Sequence, residues 1–276
     1  MIAFAPAKIN VGLRIVGKRS DGYHNLSSIF YPIPLCDALE IERTSYVKSG
    51  GLRLYHYGLK APCADADNLI TRTWEAMASM FQLPAISLHV FKTIPWGAGL
   101  GGGSSNASTF LLMLNELLNF PLNPPELHEI ALKLGSDCPF FLEPKPSLAS
   151  ARGEVLEPIV PFLKGKYLVV LFPRLEISTS WAFKQLDHEG KWEGSQEPIL
   201  PPQGNSFTSI DLHNDFEPIV LSAYPQIREL KVDLLKAGFE MVGMSGSGSS
   251  FYALSEIQRR VPSRWESSLI WSGWIT

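Results

Sequence analysis

The chain reads as an α+β protein, and three observations carry that reading. Roughly five strand patterns crowd into the residues before 95. Two long helical patterns follow between residues 104 and 135, and a later stretch mixes strand with helix. Strands gathered early with helices later describe segregated elements rather than the strict alternation of a parallel α/β sheet.

Taken in order, residues 2–17 alternate in polarity and predict an edge strand and a longer strand divided at Pro6. Lys8 and Asn10, two apart, point to one side of the second strand. Lys8 read alone is either an edge-strand lysine or a functional one. Asp21-Gly22 is a turn signal carrying Tyr23 and His24 on a loop. That pair stacks on and hydrogen-bonds a heterocycle, or it only caps a surface loop. SIFYPIPL, ALEIER and LRLYHYG predict three further strands. Residues 68–82 are amphipathic, with Leu69, Thr73, Ala76, Met77 and Met80 at core spacing. ISLHVF, residues 86–91, is another strand, and Lys92 after it either lends positive charge to a ligand or sits in water.

Beyond residue 120, Pro124-Pro125 opens a second helix that closes at Gly135. Asp137 then caps a turn before Pro139 or aims its carboxylate into a cleft. Residues 147–159 predict a strand and a turn at Arg152-Gly153. YLVVLF is a buried strand, and STSWAFKQL starts a helix capped by Ser178 or Thr179. The Gly- and Pro-rich run 188–205 predicts a surface loop. Two helices divided at Tyr224-Pro225 follow, then strand, glycine turn and strand over 241–254. The last 22 residues read as helical at first and then poorly patterned.

Composition narrows the function. The chain has 276 residues, room for two domains, with 45% apolar and 18% charged residues. A net charge of −3 gives no electrostatic case for nucleic acid. No apolar run nears the roughly 20 residues of a membrane span, and the N-terminus lacks the signal-peptide pattern. Cys36, Cys63 and Cys138 form neither metal spacing nor a disulfide framework, so a reducing cytoplasm is expected, each cysteine serving as a small core residue.

The stretch the chain is organised around is PWGAGLGGGSSNAS, residues 95–108, with five glycines between Gly97 and Gly103. It joins the strand 86–91 to a buried helix beginning near Ser104. Glycine lets a ligand approach the backbone, and a helix start offers unpaired N–H groups and a positive dipole end. The two together make a phosphate site. Gly97, Gly99 and Gly102 copy the dinucleotide G-x-G-x-x-G, but no second strand ending in an acid follows. Gly97, Gly102 and Ser104 copy the P-loop frame, but Gly103 fills the lysine slot. A wider, glycine-richer phosphate loop and a plain flexible linker are the other readings.

The set APAKIN, DGYHNL, PWGAGLGGGSSNAS, LGSDCPFF and MSGSGSSFYAL, in this order, resembles the GHMP small-molecule kinases from Ala5 to about Leu254. PAKIN and DGYH point to the branch whose alcohol substrate is 4-diphosphocytidyl-2-C-methyl-D-erythritol. The resemblance implies a two-domain architecture. Residues 1–157 form an ATP-binding, catalytic domain like domain 2 of ribosomal protein S5. Residues 158–276 form a ferredoxin-like substrate domain, with the active site in the cleft between. It implies ATP and Mg²⁺ as cofactors, a small-molecule substrate, no nucleic acid or membrane partner, and a monomer or weak homodimer.

Residue by residue, it makes Asp137 the catalytic base and Lys8 its ammonium partner. The ATP cradle becomes Pro95, Trp96, Gly97, Ala98, Gly99, Leu100, Gly101, Gly102, Gly103, Ser104 and Ser105, with Lys92 nearby and Ser104 a candidate for Mg²⁺. Tyr23 and His24 hold the cytosine ring, Phe183 closes its other side, Asn10 positions the substrate, and Gly246 and Gly248 let a turn come close. Trp96 fills a slot where these kinases often carry a smaller residue, which reshapes the adenine pocket. The same motifs leave room for a kinase of another alcohol, such as homoserine or mevalonate, or for a sensor that keeps the loop without the chemistry.

Overall fold

A computed structural model describes residues 1–44, 51–60, 68–188, 198–200 and 210–276. The chain divides into two compact units that interleave along the sequence. The first comprises Met1–Ala7, Ile33–Trp96 and Gly101–Pro144, and the second Lys8–Pro32, Gly97–Leu100 and Lys145–Thr276. Two long strands, β1 (Ile2–Lys18) and β2 (His24–Arg43), pass through both.

In the first unit, β3 (Leu52–Gly58) runs parallel to β4 (Ile86–Lys92), from Leu52 opposite Ile86 to Gly58 opposite Lys92. Residues 38–43 of β2 lie antiparallel on the other side of β4. Helices α1 (Leu69–Ala78), α2 (Gly102–Leu117) and α3 (Pro124–Leu134) share one apolar core with this sheet, built on Leu88, Val90, Trp74, Phe110 and Leu114. Asn68 starts α1 by accepting from the Ile70 amide at 3.0 Å. Asn123 and Glu126 start α3 by bonding each other's backbone amides, a capping box. α2 differs. No side chain caps it, and its N-cap, Gly101, is left-handed at φ 71°.

In the second unit, β5 (Ser147–Ser150) pairs with residues 28–30 of β2 and with β6 (Val155–Pro158). A separate antiparallel sheet is built from β7 (Tyr167–Leu171), β8 (Met241–Met244), β9 (Phe251–Ser255) and β10 (Leu269–Trp274) in the order β10-β7-β9-β8. That is the strand order of a ferredoxin-like fold, with a 3₁₀ turn over Ser263–Ser268 where a second crossover helix would lie. Helices α4 (Thr179–His188), α5 (Glu217–Ala223) and α6 (Pro225–Lys236) bury Ala182, Val220, Ile227, Leu230 and Leu234 in a core shared with Val169, Leu171 and Val242.

Several sequence expectations change. Pro6 does not divide β1, and β2 runs unbroken through Cys36 and Asp37, which separate SIFYPIPL from ALEIER. A proline removes one amide donor, but its fixed φ suits extended backbone. The early strand patterns therefore merge into four strands. α2 starts at Gly102 rather than near Ser104. Met80 is no core residue, because α1 ends at Ala78 and leaves it 52% exposed. The tail is not helical: β10 pairs with β7, a long-range contact that no local pattern announces. Of the run 188–205, residues 189–197 and 201–205 lie outside the described residues, and Ile199 within it is buried with its amide donating to Ser27 Oγ at 2.9 Å. Cys138 is a buried core residue and Cys36 is half-buried, while Cys63 lies outside the described residues. Among the described residues no helix is long and apolar enough to cross a membrane.

Candidate active site

In the second unit, β1 lays Lys8 against the glycine loop. The Lys8 amide donates to the Leu100 carbonyl at 3.0 Å. Its side chain is 4% exposed, so the exposed edge-strand reading fails. The ammonium donates to Asn10 Oδ1 at 2.6 Å and lies 4.1 Å from the centre of the Phe30 ring. An ammonium buried this deeply needs a carbonyl or π face in place of water. Strand alternation puts Asn10 on the same side, as expected.

Asn10 is the hub. Its Nδ2 donates to Ser28 Oγ at 2.8 Å, and that hydroxyl donates to the Gly12 carbonyl at 2.6 Å. Its backbone amide donates to Ser245 Oγ at 3.1 Å, and Ser245 Oγ donates to the Gly99 carbonyl at 2.8 Å. A hydrogen-bonded path therefore runs from the Lys8 ammonium through Asn10 and Ser245 to the loop. Gly99 is left-handed at φ 73°, and a Cβ there would stand 2.1 Å from the Ser245 carbonyl oxygen. The Ser250 amide donates to the Ala98 carbonyl at 3.3 Å, so the turn containing Gly246 and Gly248 grips Ala98 and Gly99 from two points. Ser245 was not among the sequence candidates, because a serine in a Ser-Gly repeat carries no signal of its own.

The aromatic candidates also lie in this unit. His24 is the first residue of β2 and 6% exposed, which overturns the reading of it as a surface cap. Its ring stacks on Phe183 of α4, with centroids 4.8 Å apart and planes 16° apart. Phe183 is braced edge-on by Phe216 at 4.9 Å. Tyr23, one residue earlier, is 54% exposed, with the Arg152 guanidinium 4.7 Å from its ring centre.

The first unit holds the rest of the loop. The start of α2 carries Gly102, Gly103, Ser104 and Ser105, and the turn 135–138 lies against it. A Cβ on Gly135 would meet Cys138 Sγ at 3.4 Å and Ser104 Oγ at 4.0 Å. Ser108 Oγ ties the same turn down by donating to the Cys138 carbonyl at 2.7 Å. Burial pushes the Cys138 thiol up to about 11, against the opposing hydrogen bond from Ser104. Asp137 precedes the 3₁₀ turn Cys138–Leu142, but its side chain makes no cap hydrogen bond to it. The helix-cap reading of Asp137 is thereby removed, and the residue is half-buried on the turn that lies against the α2 start.

Lys92 does not sit in water. It is 2% exposed, its ammonium is ion-paired with Asp37, and it lies 4.8 Å from the Trp96 ring centre. Four polar atoms of Trp96 and of the first turns of α2 are buried without a hydrogen-bond partner: Trp96 Nε1, Ser105 Oγ, and Asn106 Nδ2 and Oδ1. Buried polar groups are normally satisfied, so these orphans fit a place that receives a polar ligand. Asn106 is the residue that sequence reasoning missed here. It read as part of the helix, and only burial exposes its unmet bonds.

The comparisons agree with this geometry. A profile of the GHMP kinases N terminal domain matches residues 68–143. The 4-diphosphocytidyl-2-C-methyl-D-erythritol kinase of Porphyromonas gingivalis is 41% identical over 255 residues, covering 92% of each chain. That of Bacteroides thetaiotaomicron is 41% identical over 262 residues, covering 95% of this chain and 94% of its own. A crystal structure of 4-(cytidine 5'-diphospho)-2C-methyl-D-erythritol kinase superposes with a TM-score of 0.73 at 31% identity, covering 93% of this chain and 90% of that one. The α+β fold, the Lys8–Asn10 strand laid on the glycine loop and these near-full-length likenesses agree: the chain belongs to the 4-diphosphocytidyl-2-C-methyl-D-erythritol kinase family of the GHMP kinases.

Proposed function

We propose that the protein uses ATP to phosphorylate the 2-hydroxyl of 4-diphosphocytidyl-2-C-methyl-D-erythritol, a step of non-mevalonate isoprenoid precursor synthesis. The loop from Pro95 to Ser105 holds the triphosphate through backbone N–H groups and the α2 dipole. No side chain competes for the amides at the α2 start, which supports that role. Asn106, Ser105 and Trp96 supply the polar atoms left unmet. Lys92, with its ammonium against the Trp96 ring, belongs to the same set.

Phosphoryl transfer asks the protein for positioning and charge neutralisation. The substrate oxygen bonds to the γ-phosphorus, the bond from that phosphorus to ADP breaks, and the hydroxyl proton passes to Asp137. Lys8 stabilises the negative charge on the transferring group. Asn10 fixes the direction of the Lys8 ammonium, since it accepts that group's short hydrogen bond. Mg²⁺ bound with the nucleotide neutralises phosphate charge. The donors this chain offers it are hard oxygens, the Ser104 hydroxyl and the partnerless Ser105 Oγ, which suit that ion. By role, residues 1–157 form the ATP-binding and catalytic part and residues 158–276 complete the substrate site. The reaction belongs to the cytoplasm, and neither nucleic acid nor membrane is a partner.

The observation that carries the substrate assignment is the buried His24 ring stacked on Phe183 beside the exposed Tyr23. Their rings offer stacking faces and a hydrogen-bonding edge to a base. With centroids at 4.8 Å, His24 and Phe183 already touch, so the base lies beside this pair and not between its rings. The test is inhibition by cytidine 5′-diphosphate. It should compete with the alcohol substrate and not with ATP. Competition with ATP, or none with either, would reject the base site.

A further inference from the structure

Asp37 has no role in the transfer step above, yet with Lys92 it forms the most deeply buried ion pair among the described residues, with side chains 0% and 1% exposed. Both residues lie in the first unit. Asp37 does more than neutralise the ammonium. Its Oδ1 accepts from the Thr93 amide at 2.7 Å and the Ile94 amide at 2.8 Å, while Thr93 Oγ1 donates to the Cys36 carbonyl at 2.6 Å. The chain leaving β4 is thus fastened to β2 immediately before the glycine loop. On its far side the Lys92 ammonium faces α2. A Cβ on Gly102 would stand 2.8 Å from Nζ and 2.8 Å from an Ile94 methyl. The same ammonium lies over Trp96, whose Nε1 is one of the orphaned polar atoms.

We infer that Asp37 is a positioning residue for the nucleotide: through Lys92 it sets where the first turn of α2 and the Trp96 ring stand, and so how well the cradle receives the triphosphate. The inference rests on the reading of residues 95–105 as that cradle. Charge supply is not the mechanism. A carboxylate in direct contact with the ammonium cancels most of its field at the phosphates, so the pair acts through geometry. A buried pair of this kind adds little to stability by itself, but removing one member leaves the other charged and unmatched.

That asymmetry gives the two variants different pH signatures. Burial alone pulls the Lys92 ammonium below its ordinary range, and Asp37 opposes the shift. In Asp37→Asn the carboxylate is gone and the folded lysine prefers to be neutral. The unfolded chain then binds more protons, so stability and the shape of the cradle recover as pH rises. In Lys92→Met the Asp37 carboxylate keeps its bonds to the Thr93 and Ile94 amides, and no buried amine remains to titrate. That variant therefore shows no such recovery with rising pH. The groups facing the pair are the Cys36 thiol, itself pushed up by burial and by Asp37, the Trp96 ring and the α2 N-terminus.

The experiment measures KM for ATP, KM for the cytidyl alcohol and the melting temperature of both variants between about pH 6 and 9. Expected are a rise of about tenfold in KM for ATP, a change below about twofold in KM for the alcohol, and a recovery with rising pH in Asp37→Asn alone. If Asp37→Asn does not fold, Lys92→Met carries the test alone, since it keeps the Asp37 bonds to the Thr93 and Ile94 amides. Lowered melting temperatures with both KM values unchanged would overturn the inference. So would equal rises in the two. Amide shifts of residues 97–105 on adding a non-hydrolysable ATP analogue to the wild type separate the two levels. If those amides do not move, the cradle reading fails. If they move but KM for ATP is indifferent to Asp37, only the positioning role fails.

Discussion

Replacing Gly99 by alanine tests how tightly the loop is built. The residue is left-handed at φ 73°, and its new Cβ would stand 2.1 Å from the Ser245 carbonyl oxygen. A left-handed alanine costs about 1–2 kcal/mol by backbone sterics alone. Relief of the overlap requires the loop or the Ser245 turn to retreat by roughly 1 Å, given normal carbon–oxygen contacts. That retreat strains the 2.8 Å bond from Ser245 Oγ to the Gly99 carbonyl and the 3.3 Å bond from the Ser250 amide to Ala98. At about 1 kcal/mol each, the total reaches about 3–4 kcal/mol. For a chain of this size the melting temperature should fall by roughly 6–15 °C, read by calorimetry. Displacing a catalytic frame by about 1 Å costs about 100-fold in rate, read by coupled ADP release. Gly103→Ala is the control, because its Cβ would meet nothing nearer than the Trp96 ring at 3.7 Å. It should melt within about 2 °C of the wild type. A Gly99→Ala variant with wild-type melting and turnover would refute the tight packing from which the loop's role is argued.

Asp137→Asn should bind ATP normally and lose about 100- to 10,000-fold in kcat, the usual span for a general base; ordinary turnover would remove Asp137 from the chemistry. His24→Ala removes the ring edge offered to the base, a hydrogen bond worth about 0.5–1.5 kcal/mol, so KM for the cytidyl alcohol should rise about 3- to 10-fold while KM for ATP holds; parallel rises in both would contradict base recognition. Cys138, buried and with its thiol pushed up to about 11, should resist alkylation at about pH 8 in the native state and react once the chain unfolds. Peptide-level mass spectrometry reads this, and native labelling would show that the turn beside Ser104 opens.

Much of the site was legible because it is written in short motifs whose geometry is local. Lys8 and Asn10 share a strand face by alternation, and the glycine run announces a loop that a helix must follow. What sequence could not convey is contact between distant segments. Ser245 matters because its hydroxyl joins Asn10 to Gly99, residues far from it in the chain. Asn106 looks like any polar helix residue until burial shows its amide unmet. Asp37 falls in the gap between the expected strands SIFYPIPL and ALEIER, yet β2 runs through it and places it on the buried face of Leu35 and Leu39, against Lys92. The fold was misread where Pro6 lies inside β1, where β2 runs on through Cys36 and Asp37, and where β10 finds its partner β7 across most of a domain. Local pattern reports propensity, and these features are decided by tertiary pairing.

Whether one hydroxyl is served by a glycine cradle, a lysine from β1 and a carboxylate at residue 137 is tested most directly by substrate choice. ADP release from ATP is measured with 4-diphosphocytidyl-2-C-methyl-D-erythritol beside plain methylerythritol phosphate, homoserine and mevalonate. Rapid release with the cytidyl alcohol alone, abolished by Lys8→Met, is the expected result. Comparable release with homoserine or mevalonate, or full activity in Lys8→Met, would contradict it.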